Sequence, residues 1–195
     1  MWISLLAFAI IHKRFWLEAI MLGVLLASRQ TAVVYAPLMA IYWLRATASW
    51  RTTALLSLVT CGTCLVLCGP FLALTPHAFL IDPLRHYSEL GDWDFTKGAA
   101  GFGANAIGLS YMIRGLQVKH LLPLVTALAV IAPWVLAWWR LKSRSDLLLY
   151  MGFAGMVSAM TSPIPWHYEY FVPFILFAFA SIAAAGEDSA EHGRV

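Results

Sequence analysis

The sequence has little charge: Asp, Glu, Lys and Arg together make up 12% of its 195 residues. A soluble domain of this length needs more charged residues to cover its surface, so the shortage excludes an ordinary water-soluble fold. The formal net charge is only +3, and the cations lie in short connecting segments rather than on one helix face, which argues against nucleic-acid binding. Apolar residues make up 61% of the chain and the mean hydropathy is +0.75. We therefore predict an integral membrane protein.

Cysteine is also scarce, and all of it lies within one apolar run. Cys61, Cys64 and Cys68 are spaced i, i+3 and i+7, which places them along one stripe of a helix. A metal or redox site needs thiolates beside positive charge or a metal ion, whereas the neighbours here are Leu, Val, Thr and Gly. We interpret the cysteines as small residues that allow close helix packing.

Apolar runs fill most of the chain and predict an all-α fold, a polytopic membrane bundle of about six or seven transmembrane or half-spanning helices. The clearest run, 54–74, has about twenty uncharged residues, the length that crosses a hydrocarbon core about 30 Å thick. The runs in chain order are 1–11, 15–27, 32–44, 54–74, 121–139, 147–161 and 172–185. We treat 1–185 as a single transmembrane helical domain and 186–195 as a cytoplasmic tail.

The connectors between the runs differ in charge. If every run crosses the membrane, the basic connectors 12–14, 45–51 and 140–144 lie on the same face. Short loops rich in Lys and Arg mark the cytoplasmic side. The other face then receives the connectors 28–31, 75–120 and 162–170, which hold most of the polar and aromatic groups that could act together. We expect the working face to be extracytoplasmic.

The first run, 1–11, is too short to cross a bilayer without thinning it. It lacks the basic segment and the small-residue cleavage site of a signal peptide. A helix cut by a truncated gene or a misplaced start codon has this form, so we expect the chain to be truncated at its N-terminus.

The long connector 75–120 is predicted to be an extracytoplasmic loop with interfacial helices. Asp82 and His86 are neighbours at i, i+4 with Arg85 close by, so this stretch is either the solvated side of an amphipathic strap or a wall over a substrate cleft. Asp92 and Asp94 form an Asp-x-Asp pair, a weak candidate for binding a divalent cation. The alternative is two solvated acids in a loop.

Arg29 lies between two apolar runs, at or near membrane depth. A charge is costly there and usually has a partner or a function. Because a guanidinium binds phosphate through paired hydrogen bonds, Arg29 and its neighbour Gln30 are candidates for binding a lipid phosphate; a snorkelling interfacial arginine is the alternative. Glu18, inside another apolar run, is expected to be balanced by the nearby Lys13 and Arg14.

The connector before the last run is rich in aromatic residues. Flat rings beside hydrogen-bonding groups suit a sugar-binding wall, whereas aromatic residues at this depth also form the interfacial belt of membrane proteins. Both readings stay open. The candidate substrate contacts in this connector are Trp166, His167, Tyr168, Glu169 and Tyr170.

Three segments resemble polytopic glycosyltransferases of the GT-C class. In 27–38 (ASRQTAVVYAPL), a short helix, an Arg-Gln pair and a Pro-containing helix follow one another. The second is Gly-Pro-Phe at 69–71 followed by NAIGLS at 105–110, and the third is WHYEYFVP at 166–173. The resemblance implies the C-terminal part of an enzyme that transfers a sugar from a polyprenyl-phosphate-linked donor to an acceptor on the extracytoplasmic face. In that class the base is usually an acid in the first outer loop, which has no counterpart here, so the catalytic residue is unassigned.

Two other classes of function compete with this one. A non-catalytic scaffold subunit or a gene fragment needs only apolar helices and interfacial aromatic residues. A multi-pass transporter usually has broken helices, polar groups near the midplane and paired repeats, yet the runs after residue 54 carry almost no charge and no repeat is visible. A eukaryotic targeting signal is also missing, which favours a prokaryotic plasma (inner) membrane. The sugar, the acceptor, the lipid carrier and the oligomeric state stay open.

Overall fold

The structure is a computed structural model that describes residues 1–75, 77, 122–161 and 171–192. Within these residues the prediction of an all-α fold is confirmed, because they form helices and no strand. The helices are α1 (Trp2–Ile11), α2 (Phe15–Ser28), a 3-10 helix (Gln30–Tyr35), α3 (Ala36–Thr47), α4 (Trp50–Leu74), α5 (Leu122–Arg140), α6 (Arg144–Thr161) and α7 (Phe171–His192).

Several helix boundaries differ from the predicted runs for identifiable reasons. The run 32–44 is divided between the 3-10 helix and α3, since Pro37 lacks an amide hydrogen and fits the first turn of an α-helix. Helix α4 begins four residues before the predicted run because the Ser49 side chain caps it, accepting a hydrogen bond from the amide of Thr52 at 3.2 Å. Helix α7 continues to His192, into the predicted tail.

The contacts among the described helices show which of their ends lie together. Helix α6 lies between α5 and α7, contacts the 3-10 helix, and α2 packs along α4. At one end, the Arg45 guanidinium donates to the carbonyls of Trp138 and Leu141, and the Arg144 guanidinium donates to the carbonyl of Ile11. The connectors α1–α2, α3–α4 and α5–α6 therefore meet there. We call this the basic end. The opposite end holds the 3-10 helix, and we call it the cavity end because a cavity, described below, opens there.

Small residues set the closest approach of α2 and α4. A Cβ atom added to Gly23 would lie 2.6 Å from the carbonyl oxygen of Thr60, and the Thr60 hydroxyl donates to the carbonyl of Ala19 at 3.0 Å. The three cysteines of α4 become more buried along the helix: Cys61 is exposed, Cys64 is partly buried and Cys68 is buried. The three thiols are free, and the Sγ of the buried Cys68 lies 4.0 Å from the carbonyl oxygen of Ala27 in α2.

Helix α4 is, among the described helices, the one that is long and apolar enough to cross a membrane by length and composition. Its 25 residues have a rise of about 38 Å at 1.5 Å per residue. Helices α1 and α2 are apolar but have only 10 and 14 residues. Most of α4 faces outward, and its exposed side chains include Leu58, Leu65 and Val66.

Candidate functional site

A cavity of about 190 Å³ opens at the cavity end, between the start of α1, the end of α2, the 3-10 helix, the second half of α6 and the start of α7. Its polar lining residues are Ser28, Arg29, Thr31, Tyr35 and Ser158. The remaining lining residues are apolar or small: Met1, Trp2, Ile3, Leu25, Ala32, Val34, Gly155, Ala159 and Val172. The cavity therefore joins a cation and several hydroxyls to an apolar wall.

Arg29 is placed at the cavity by the end of a helix. It is the C-cap of α2 and has an extended backbone (φ −149°, ψ 116°), and its amide donates to the carbonyl of Leu25 at 2.9 Å. Its own carbonyl accepts a hydrogen bond from the amide of Ala32 at 3.0 Å. The backbone of Arg29 is thus held on both sides, while the residue is exposed at the rim of the cavity.

Tyr35 reaches the cavity because α6 carries a glycine opposite it. Tyr35 is 5% exposed and lines the cavity, and it lies close enough to Arg29 for the two side chains to interact electrostatically. A Cβ atom on Gly155 would lie 2.5 Å from the Tyr35 hydroxyl oxygen, closer than ordinary van der Waals contact. Gly155 therefore makes the room in which the Tyr35 hydroxyl lies.

The described lining has groups that suit the binding of an anion. A guanidinium beside hydroxyl groups can donate several hydrogen bonds to phosphate oxygens. Aliphatic and aromatic side chains such as Ile3, Leu25 and Trp2 can contact a hydrocarbon chain. None of the described lining residues is Asp, Glu or His.

The structure describes few of the predicted site residues. Arg29 lines the cavity, and the backbone of Gln30 begins the 3-10 helix directly beside it. The other candidates lie outside the described residues: Asp82, Arg85, His86, Asp92, Asp94, Trp166, His167, Tyr168, Glu169 and Tyr170. The aromatic connector 162–170 joins α6 to α7, and both of these helices contribute to the cavity. Within the described ranges, no three His, Cys, Asp or Glu side chains form a group that could hold a metal ion.

Sequence reasoning did not select Tyr35, Gly155 or Ser158. Tyr35 lies inside the segment 27–38 that carries the glycosyltransferase resemblance, but a tyrosine in an apolar helix is ordinarily a packing residue. Gly152 and Gly155 are spaced i, i+3 on α6, a spacing of small residues that permits close approach of another helix. That spacing was the available signal, although it does not identify the partner.

Glu18 has a different partner from the one expected. It is fully buried, and the indole nitrogen of Trp43 donates to its Oε2 at 2.7 Å. Lys13 and Arg14 are exposed. Within the described residues, Glu18 Oε1 accepts no hydrogen bond. Glu18 thus joins α2 to α3 near the basic end and lies away from the cavity.

Comparison with known proteins identifies no relative: no protein family, no curated protein and no solved structure matches the chain at a significant level. The cavity and the outer surface of the helices are therefore the features that bear on function.

Proposed function

We propose that the chain is the C-terminal part of a polytopic membrane glycosyltransferase, and that its cavity binds the phosphate of a polyprenyl-phosphate-linked sugar donor at the extracytoplasmic face. The observation that carries the proposal is the lining of the cavity, which places Arg29 and hydroxyl groups next to an apolar wall. A lipid phosphate has the complementary pair of groups, an anionic phosphate joined directly to a hydrocarbon chain.

The outer surface of α4 supports a position in the membrane. Only 17% of its most apolar window is buried inside the protein. A core helix of a water-soluble protein is covered by its neighbours, and soluble monomers rarely expose apolar patches larger than a few hundred Å². Exposed Leu and Val along about seven turns are stable when lipid tails cover them. We infer that shorter helices such as α1 and α2 lie beside α4 in the same bilayer as half-spanning or tilted segments.

The charge difference between the two ends supports the proposed orientation. The three connectors at the basic end hold most of the described Lys and Arg residues, and short basic loops remain on the cytoplasmic side. The cavity then opens toward the extracytoplasmic face of a prokaryotic plasma membrane. A polyprenyl chain lying in the outer leaflet would place its phosphate near Arg29.

The chemistry assigned to the cavity is stabilisation of a leaving group. In sugar transfer, the acceptor hydroxyl oxygen forms a bond to the anomeric carbon, the bond from that carbon to the phosphate oxygen breaks, and the phosphate departs with the electron pair. A base takes the proton of the acceptor hydroxyl. Arg29 would neutralise the charge that develops on the phosphate, and Thr31 would donate to one of its oxygens. The Ser28 hydroxyl is already the donor to the carbonyl of Leu25 at 3.0 Å. The residues Trp166, His167, Tyr168, Glu169 and Tyr170 would contact the sugar, and the base is unassigned.

Binding of a polyprenyl phosphate to the detergent-solubilised chain tests the proposal. We expect the wild type to bind the phosphate and to bind the matching polyprenol, which lacks it, more weakly. Arg29→Gln should weaken binding of the phosphate about tenfold to a hundredfold, the range of a lost charge-assisted hydrogen bond, and Arg29→Lys should lose less. The matched control is Arg51→Gln, which removes an exposed arginine at the basic end. Equal binding of phosphate and polyprenol, or an equal loss in both variants, would contradict the proposed site.

A second candidate function is a non-catalytic membrane subunit that binds the same lipid phosphate. The observation that favours it is the described lining, in which no Asp, Glu or His is present. The two candidates differ in one measurement: the enzyme releases polyprenyl phosphate from its sugar-linked form when an acceptor is supplied, whereas the subunit binds both forms without turnover.

A further inference from the structure

The basic end carries tryptophan as well as positive charge. Four of its tryptophans are half or more exposed: Trp16 (54%), Trp50 (72%), Trp138 (50%) and Trp139 (73%). Each lies within one turn of a helix end, Trp16 in α2, Trp50 in α4 and the other two in α5. Exposed indole rings at one level are typical of the boundary between lipid tails and headgroups.

Two exposed cations lie close in sequence to the tryptophans at each of the three connectors of this end. They are Lys13 and Arg14 between α1 and α2, Arg45 in the last turn of α3 with Arg51 in the first turn of α4, and Arg140 at the end of α5 with Lys142 just after it. The guanidinium bonds of Arg45 and Arg144 to carbonyls of neighbouring connectors hold the three at one end of the bundle. Positive charge and indole rings are therefore repeated around the same end.

The carboxylates described at this end are used inside the protein. Glu18 is buried against Trp43. Asp146 accepts hydrogen bonds from the amides of Lys142 and Ser143 at 2.9 and 3.1 Å. Glu187 accepts from the Ser145 hydroxyl at 2.6 Å and lies 3.5 Å from Arg144 Nε. Five cations at this end therefore have no carboxylate partner within the described part of the chain: Lys13, Arg14, Arg51, Arg140 and Lys142.

We propose that the basic end binds anionic phospholipid headgroups of the leaflet opposite the cavity. The exposed cations attract lipid phosphates, and the tryptophans beside them insert at headgroup level, a combination that suits a lipid surface better than an acidic protein or a nucleic acid. The inference requires that the chain lies in a bilayer, as proposed above, but it does not require glycosyl transfer. It assigns different lipids to the two ends: a polyprenyl phosphate at the cavity and bulk anionic lipid at the basic end.

Tryptophan quenching in reconstituted bilayers tests this inference. The chain is placed in mixtures of phosphatidylglycerol and phosphatidylcholine in which one or the other lipid carries bromine, and the ratio of quenching gives the relative affinity for the anionic lipid. We expect the wild type to prefer phosphatidylglycerol severalfold at low ionic strength, and the preference to fall as salt is added. Lys13→Gln with Arg14→Gln, and separately Arg140→Gln with Lys142→Gln, should each lower the ratio. The five-fold variant that also carries Arg51→Gln should bring it close to one.

Arg29→Gln is the matched control, because it removes a described arginine at the other end of the bundle. It should leave the lipid preference unchanged while it weakens binding of the polyprenyl phosphate, so the two proposals fail separately. A wild-type ratio of one, a preference that both paired variants retain, or a preference that Arg29→Gln removes would overturn the inference. Circular dichroism of each variant establishes that its helix content matches that of the wild type before the ratios are compared.

Discussion

The two ends of the helical bundle differ in where their polar side chains lie. At the basic end, arginines and carboxylates are bonded to carbonyls, amides and one another, as in the contacts of Arg144 with Ile11 and Glu187. At the cavity end, Arg29 and the hydroxyls of Thr31 and Tyr35 line an open space. The difference indicates that the contacts of Arg45, Arg144 and Glu187 hold the helices together at the basic end, whereas the polar residues of the cavity end surround a space that a ligand can enter.

Substitutions at the two ends should therefore differ in their effects on stability and on ligand binding. Changes to Arg45, Arg144 or Glu187 at the basic end should lower the free energy of unfolding and leave binding of the polyprenyl phosphate intact. Changes at the cavity end should weaken that binding at a smaller cost in stability. A substitution in the middle of the bundle, where α2 meets α4, should affect stability alone.

Trp43→Phe is expected to have the largest effect on stability. Trp43 is 1% exposed, and its indole nitrogen is the hydrogen-bond donor to the buried Glu18 carboxylate. The substitution removes that donor and leaves a small cavity, so we expect a loss of about 3 kcal/mol in the free energy of unfolding. The measurement is unfolding of the detergent-solubilised chain by increasing mole fractions of dodecyl sulfate.

Glu18→Gln is the matched control for this substitution. Its amide oxygen still accepts from Trp43, and no charge is buried, so we expect a stability within about 1 kcal/mol of the wild type or above it. A large loss in Glu18→Gln together with a small loss in Trp43→Phe would mean that the charge of Glu18, rather than its hydrogen bond, joins α2 to α3.

Gly23→Ala tests the middle of the bundle. The new methyl group would lie 2.6 Å from the Thr60 carbonyl oxygen and 2.7 Å from Thr63 Cβ, and backbone atoms cannot move aside without separating α2 from α4. We expect a loss of about 2 kcal/mol in the same unfolding experiment, without a change in lipid-phosphate binding. Gly62→Ala on α4 is the control, because a Cβ atom there meets nothing within 4 Å. It should be neutral or stabilising by about 0.5–1 kcal/mol, and equal losses in the two variants would contradict the close packing at Gly23.

Much of the fold could be predicted because apolar length is a local property of the sequence. The uncharged run 54–74 defines α4 to its last residue, and only the cap at Ser49 moves its start. The end of α7 could not be found in this way. Its last turns are polar, and Glu187 lies at Arg144 and Ser145 of α6, a contact between residues more than forty positions apart in the sequence.

The candidate site divides in the same manner. Arg29 could be selected from sequence because a charge between two apolar runs is costly wherever the chain folds. Tyr35 and Gly155 could not, because their importance depends on which face of α6 meets the 3-10 helix. Periodicity predicts that a helix has an apolar face, but it does not determine which helix covers that face.

Gly155→Ala should separate binding from stability at the cavity end. The added methyl group would lie 2.5 Å from the Tyr35 hydroxyl oxygen but 3.5 Å from its ring carbon Cζ, so the hydroxyl must shift. We expect about 1 kcal/mol of lost stability and a polyprenyl-phosphate affinity about tenfold weaker. In the double variant with Tyr35→Phe the clash is relieved, so most of the stability should return while the affinity stays low. If the double variant loses as much stability as the two single variants together, Gly155 and Tyr35 do not interact.

The smallest expected effect belongs to the ion pair at the basic end. Arg144 Nε and Glu187 Oε1 are 3.5 Å apart, and both side chains are about one quarter exposed (24% and 25%), so solvent screens much of the attraction. Glu187→Gln removes the charge but keeps oxygen and amide groups near the Arg144 amide and the Ser145 hydroxyl, and we expect a loss of at most about 0.5 kcal/mol that disappears in high salt. Glu187→Ala also removes the acceptor of both hydrogen bonds and should cost about 1 kcal/mol more, independent of salt. If Glu187→Gln proves as costly as Glu187→Ala at every salt concentration, charge rather than hydrogen bonding holds α6 to α7.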